Sequence, residues 1–162
     1  MAHKKVFETL DEAQDFVRPW VDKVSAELGC GYDWYNYTSG GGYYNQNGGD
    51  WYTGVNLKYL GYNLGSIMLN YRYCYDNATK EAWNEDPHIR LTLNTKVTFE
   101  LKSVFTKTNM RHDINIKLNV NRDMTTSDKD YKKYIDWAKL IMKQLKTAEA
   151  KKRKFQADVD FE

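Results

Sequence analysis

Cysteine is scarce in this sequence, because the 162 residues include only Cys30 and Cys74. The two are not spaced as CxxC and form no repeating framework, which argues against a zinc ribbon or a disulfide scaffold. No stretch approaches the roughly 18 apolar residues of a membrane span. The N-terminal MAHKKVFETL also lacks the apolar run of a signal peptide. We therefore expect a cytoplasmic protein with no membrane partner.

Catalytic motifs are absent as well. The sequence has no GxSxG, Cys–His or Ser–Lys signature, and the SGGG at residues 39–42 lacks the Walker pattern of a phosphate loop. Two histidine clusters, EDPH around His88 and RHD around His112, could meet at one end of a sheet and bind a divalent ion. Neither has a known ligand spacing, so we interpret them as turn residues. We predict a protein that is not an enzyme and uses no metal or cofactor.

An excess of charge of one sign is also missing, since the net charge is +2 with 28% charged residues. The whole chain is therefore not a polycation built to coat nucleic acid. Aromatic residues are abundant at 15%, and tyrosine supplies thirteen of them. The length and the lack of a linker predict one domain over residues 1–154, followed by a short acidic C-terminal tail at 155–162.

Apolar residues recur every three to four positions near both ends of the chain, which predicts two amphipathic helices. In the first, Thr9 and Glu12 form a capping box and Gly29 provides the stop. Pro19 interrupts this helix, so we expect a kink there, or else two shorter helices that meet. The second helix begins after Ser127.

Between the helices, from about residue 32 to residue 122, the apolar period changes from 3.6 to 2. In one such run Ile67, Leu69 and Tyr71 alternate with Met68, Asn70 and Arg72. Strict alternation is typical of antiparallel strands with one dry and one wet face. The prediction is an α+β fold in which both helices pack on one face of an antiparallel sheet of about five strands. The polar face opposite is the expected place for function.

The segment 31–52 consists almost entirely of Tyr, Trp, Gly and Asn. Its flanks alternate like strands, so we interpret it as a Gly-rich hairpin. Tyr32 and Trp34 share one face while Tyr35 and Tyr37 share the other, and the sequence does not say which face is wet. The aromatic residues proposed as contacts are Tyr35, Tyr37, Tyr43, Tyr44, Trp51 and Tyr52.

The end of the second helix is basic. Its predicted nucleic-acid contacts are Lys143, Lys146, Lys151, Lys152, Arg153 and Lys154. Cations are favoured at a helix C-terminus by the dipole alone, so a solvated end is the simpler interpretation, but such a cluster also attracts phosphate. The final ADVDFE resembles, over about six residues, the acidic C-terminal tails of single-strand DNA-binding proteins from bacteria and phages. That resemblance implies a single-stranded nucleic-acid partner.

Two functions fit these features. The first is a non-catalytic protein that binds nucleic acid through the polar and aromatic sheet face and the basic helix end. The alternative is a protein–protein interaction module, for example a small phage-type inhibitor of a host factor, that uses the hairpin at 31–52. The predicted partner is accordingly nucleic acid or a host protein.

Overall fold

The computed structural model describes residue 7 and residues 9–38, 49–76, 78–103 and 112–160. Its elements, in chain order, are α1 (Leu10–Leu28), β1 (Gly31–Thr38), β2 (Gly49–Tyr59), β3 (Tyr62–Asp76), β4 (Glu81–Ser103), β5 (His112–Met124) and α2 (Asp128–Asp160). The strands form one antiparallel sheet in the order β1-β2-β3-β4-β5. This confirms the predicted α+β fold with a five-stranded antiparallel sheet.

Helix α1 begins and ends where its capping residues predict. The Thr9 hydroxyl accepts a hydrogen bond from the Glu12 N–H at 3.2 Å, and Gly29 ends the helix in the left-handed region with φ of 66°. Pro19 lies inside one continuous helix, so the alternative of two shorter helices is wrong. The acidic end, expected as a tail from residue 155, is helical in α2 as far as Asp160.

Both helices cover the same face of the sheet, as predicted. Val17 and Val21 of α1 and Leu145 of α2 are fully buried in one core with Ile67 and Leu69 of β3. Tyr134 of α2 is also fully buried, and its hydroxyl donates to the Thr92 carbonyl of β4 at 2.9 Å. We call the opposite face, which neither α1 nor α2 covers, the open face.

Strand β4 is long because its two halves pair with different neighbours. Its first part, residues 81–90, pairs with β3 alone, and β5 joins only from Leu91 onward. Pro87 lies in this first part, where its missing N–H costs no hydrogen bond to a second strand. The Asn, Asp and Pro residues at 76–87 are typical of a connection, but the turn ends at Lys80 and residues 81–87 belong to β4.

Tyr62, the first residue of β3, forms a hydrogen bond with α2. Its hydroxyl donates to Glu149 Oε2 at 2.8 Å. Burial, followed by the hydrogen bond and charge of Glu149, raises the pKa of Tyr62 from 10.0 to about 12. Burial also raises the pKa values of Tyr131 and Tyr134. The folded state therefore holds these phenolic protons more tightly than the unfolded chain does.

This arrangement predicts a loss of stability at high pH. A group whose folded pKa is raised contributes fully below its unfolded pKa, and the contribution of Tyr62 is lost between pH 10 and about 12. We expect the free energy of unfolding, measured by urea denaturation, to fall over this range. Tyr62→Phe should make the fall shallower, whereas Tyr32→Phe, at an exposed position, should leave it unchanged. An equal slope in the wild type and Tyr62→Phe would contradict the assignment.

Candidate site on the open sheet face

The open face is organised in rows of directly opposed residues that cross the strands. The register gives three such rows: Asp33, Asn56, Ser66, Thr92 and Asp123; then Tyr35, Gly54, Met68 and Arg90; then Tyr37, Tyr52, Asn70 and His88. The second row aligns Tyr35 with Arg90 of β4, and the third row aligns Tyr37 and Tyr52 with His88 of β4. We call these two rows the aromatic rows.

The side chain of Tyr35, on β1, extends across the neighbouring strand β2. Its hydroxyl is hydrogen-bonded to the side chain of Ser66 on β3, which lies two strands away. Two strand spacings are about 9.6 Å, so the ring must extend over β2. The residue opposite Tyr35 on β2 is Gly54, which has no side chain to block the ring. The ring therefore extends across β2, and the side chain of Tyr35 is half-buried there.

The hydrogen bonds that begin at the Tyr35 hydroxyl continue from Ser66 to Thr92 of β4. The Ser66 and Thr92 hydroxyl oxygens are 2.5 Å apart, and the Ser66 N–H donates to Thr92 Oγ1 at 3.1 Å. Burial raises the pKa of the Tyr35 phenol, so it stays a neutral donor and acceptor at physiological pH. This chain of hydroxyls across three strands fixes the orientation of the ring.

Arg90 ends the row that begins at Tyr35. Its guanidinium forms a two-pronged pair with Asp123 of β5, with Nε donating to Oδ1 at 3.2 Å and Nη2 donating to Oδ2. The hydrogen bond to Asp123 raises the pKa of Arg90, and the guanidinium also interacts electrostatically with Tyr35 and Tyr52. Both partners of the pair are partly exposed, so its planar surface is accessible beside the tyrosines.

A groove borders the Arg90–Asp123 pair where β5 leaves the sheet. Its volume is about 700 Å³, and Phe16 and Trp20 of α1 form its opposite wall. Because β5 ends at Met124, no strand of the described ranges flanks the edge of β4 before Leu91, and this edge faces the groove. The groove thus extends the aromatic rows around the end of β5 towards the helix side.

The structure separates the aromatic residues proposed from the sequence. Tyr35, Tyr37 and Tyr52 belong to the aromatic rows by register. Trp51 pairs with Tyr71 and has the alternate phase, shared by the buried Thr53 and Val55. Tyr43 and Tyr44 lie outside the described residues, so the role of the hairpin tip in a protein interface stays a prediction.

The basic residues proposed on α2 differ in their surroundings. Lys143 and Lys151 line a groove beside β5, whereas Arg153 is paired with Glu149 through an Nε–Oε1 distance of 3.7 Å. Lys146 and Lys154 are exposed and Lys152 is half-buried.

The sheet separates this basic segment of α2, residues 143–154, from the open face, because α2 packs on the other side. Lys117 of β5 lines the α2 groove and has the open-face phase, opposite Thr98. The edge strand is therefore the direct connection between the two regions.

Sequence reasoning missed Lys96 and Lys117 as candidates. Both are exposed on the open face of the β4–β5 ribbon, and Lys96 lies six residues from Arg90, or about 20 Å along the strand. The alternation of the two strands carried this information, since both lysines fall in the polar phase. What the sequence did not reveal was the pairing that places them on the same face as Tyr35.

The two histidine clusters do not meet. His88 pairs with Asn70 in β4, while His112 pairs with Ser103, fifteen residues further along the same strand. An extended strand of that length spans on the order of 50 Å. Within the described ranges, no group of three or more His, Cys, Asp or Glu side chains could hold a metal ion.

Comparison of the chain with protein-family models, with curated proteins and with solved structures finds no match. In the part of the chain that the structure describes, neither helix is both long and apolar enough to cross a membrane.

Proposed function

We propose that this protein binds single-stranded nucleic acid on the open face of its sheet, without catalysing a reaction. The observation that carries the proposal is the position of Tyr35, whose hydroxyl reaches Ser66 across Gly54 and whose side chain is only half-buried on the open face. Every base has a π face, so an aromatic ring that lies on a sheet provides a stacking platform with little dependence on sequence.

The aromatic rows favour an unpaired strand over a duplex. In a duplex the bases are stacked on one another, and a protein reads them through side chains or elements that enter a groove. Tyr35 and Tyr52 are half-buried on a continuous sheet and do not project from it. A base can stack on such a surface only when it is free to leave its own stack.

Cations are available for the phosphates of a strand that follows β4 away from the tyrosines. Lys96 and Lys117 lie along this path on the open face, both exposed. The N–H groups of the Arg90 guanidinium already bond to Asp123, so Arg90 contacts the bound strand through the flat face of the guanidinium. The basic segment of α2 at residues 143–154 adds long-range attraction for the same polyanion from beyond the edge strand.

The salt dependence of binding tests this path. We expect fluorescence anisotropy to detect binding of a labelled single-stranded 12-mer of DNA or RNA at low salt. Each phosphate contact contributes a slope of about −0.7 to the logarithm of affinity against the logarithm of salt concentration. Lys96→Gln combined with Lys117→Gln should therefore make the slope shallower by roughly 1.4.

Lys129→Gln, at the other end of α2, is the matched control and should leave the slope unchanged. The lack of binding to any oligonucleotide at low salt would refute the function. An unchanged salt slope in the Lys96→Gln, Lys117→Gln double variant would refute the path of the strand along β4.

A further inference from the structure

The apolar layer between the sheet and α2 is incomplete at β5. In the middle of the sheet, Ile67 and Leu69 are fully buried, whereas Ile116 and Leu118 of β5 are only half-buried. On the facing side of α2, Leu140 is 55% exposed. Between them lies a groove of about 420 Å³, which we call the β5 groove. The helix thus extends over space that one more strand would fill.

Strand β5 is the last strand of the described sheet and pairs with β4 on one side only. Alternate residues of such an edge strand direct their N–H and C=O groups away from the sheet, where they can pair with an added strand. The side chains of an added strand alternate, so every second one would enter the β5 groove. The edge and the groove are therefore suited to the same extended ligand.

The rim of the β5 groove is basic. Among the residues that the structure describes, its charged lining residues are Lys117, Lys143 and Lys151, with no acidic side chain. A second copy of the chain, paired β5 to β5, would bring these lysines towards their own counterparts, which costs energy. The described apolar side chains of the floor, among them Val97 and Leu140, are aliphatic, and none of them is an aromatic ring on which a base could stack. The charge and the floor together favour an acidic peptide with apolar side chains.

We propose that an acidic peptide segment, with apolar and acidic residues in alternation, binds as a sixth strand along β5. Its apolar side chains enter the β5 groove beside Leu140, and its carboxylates meet the lysines of the rim. The peptide gains affinity from main-chain hydrogen bonds and specificity from the groove, as in other strand additions. This interface is separate from the aromatic rows and does not depend on the proposed function.

The test uses the full chain and two labelled peptides, three Asp-Val repeats and three Lys-Val repeats, at concentrations up to about 1 mM. We expect saturable anisotropy for the acidic peptide and at least tenfold weaker binding of the basic one. Two variants at exposed positions, the double change Lys143→Glu with Lys151→Glu and the single change Leu140→Asp, should each weaken acidic-peptide binding at least tenfold. Lys132→Glu with Lys139→Glu is the control with the same change in charge on α2, and it should retain binding within about threefold.

Hydrogen exchange distinguishes strand addition from simple ionic attraction, because the added strand should slow exchange of β5 backbone amides. Three results would overturn the proposal: no binding, equal binding of both peptides, or a dimer in sedimentation that occupies β5. Tyr35→Ala should leave peptide binding unchanged. Failure of this proposal is therefore distinguishable from failure of the nucleic-acid proposal.

Discussion

Tyr35→Ala is expected to weaken binding of a single-stranded oligonucleotide by roughly 5- to 150-fold, which corresponds to about 1–3 kcal/mol for the loss of one base–aromatic stack. The physical reason is that Tyr35 supplies the ring that extends over Gly54. The methyl group of alanine is too small to extend there. The measurement is the dissociation constant from fluorescence anisotropy at low salt.

Two variants distinguish stacking from other effects of this substitution. Tyr35→Phe keeps the ring and removes the hydroxyl that bonds to Ser66, so it should keep most of the affinity. Tyr32→Ala removes an exposed tyrosine three residues away on β1, in the alternate phase that faces the helix side, and should have no effect. Equal losses for Tyr32→Ala and Tyr35→Ala would show that the open face is not the binding surface.

Gly54→Ala is expected to destabilise the fold by on the order of 3 kcal/mol or more, as overpacking in a core does. An alanine Cβ at this position would lie 2.0 Å from the Ile67 carbonyl oxygen and 2.8 Å from the Met68 Cα, both of which are backbone atoms of β3. The neighbouring strand would have to move. For a chain of this size the change corresponds to a fall in Tm of roughly 6–12 °C, measurable by calorimetry.

Gly31→Ala is the matched control in the same hairpin. Its Cβ would approach the Lys58 carbonyl oxygen only to 4.0 Å, an ordinary contact, and the glycine does not have a positive φ. We expect its Tm to stay within a few degrees of the wild type. If Gly54→Ala has an equally small effect, the close approach of β2 to β3 at this position is not a real constraint on the sequence.

The fold could be predicted because its signals are local. The stripe that includes Val17 and Val21 has a helical period, while the run around Ile67 and Leu69 alternates, and each pattern lies within one element. The Thr9 cap and the Gly29 stop likewise depend only on nearby residues. The connection before β4 was misjudged because Asn, Asp and Pro, which usually mark turns, are tolerated where a strand has one free edge.

The site could be predicted only in part, because it depends on the register of four strands. The composition of the hairpin pointed to Tyr35, Tyr37 and Tyr52. Their alignment with Arg90 requires the pairings of β2 with β3 and of β3 with β4, each of which contains a register shift. A slip of one residue would move every side chain of a strand to the other face, and no local pattern specifies these irregularities.

The most direct test of the open-face site is ultraviolet cross-linking of a single-stranded oligonucleotide that carries 5-iodouracil, followed by mass spectrometry of the linked peptides. We expect cross-links at Tyr35 and Tyr52, on adjacent rows of the open face, and their loss in Tyr35→Ala and Tyr52→Ala respectively. Cross-links confined to the helix side, for example at Tyr32 or along α2, would contradict this prediction.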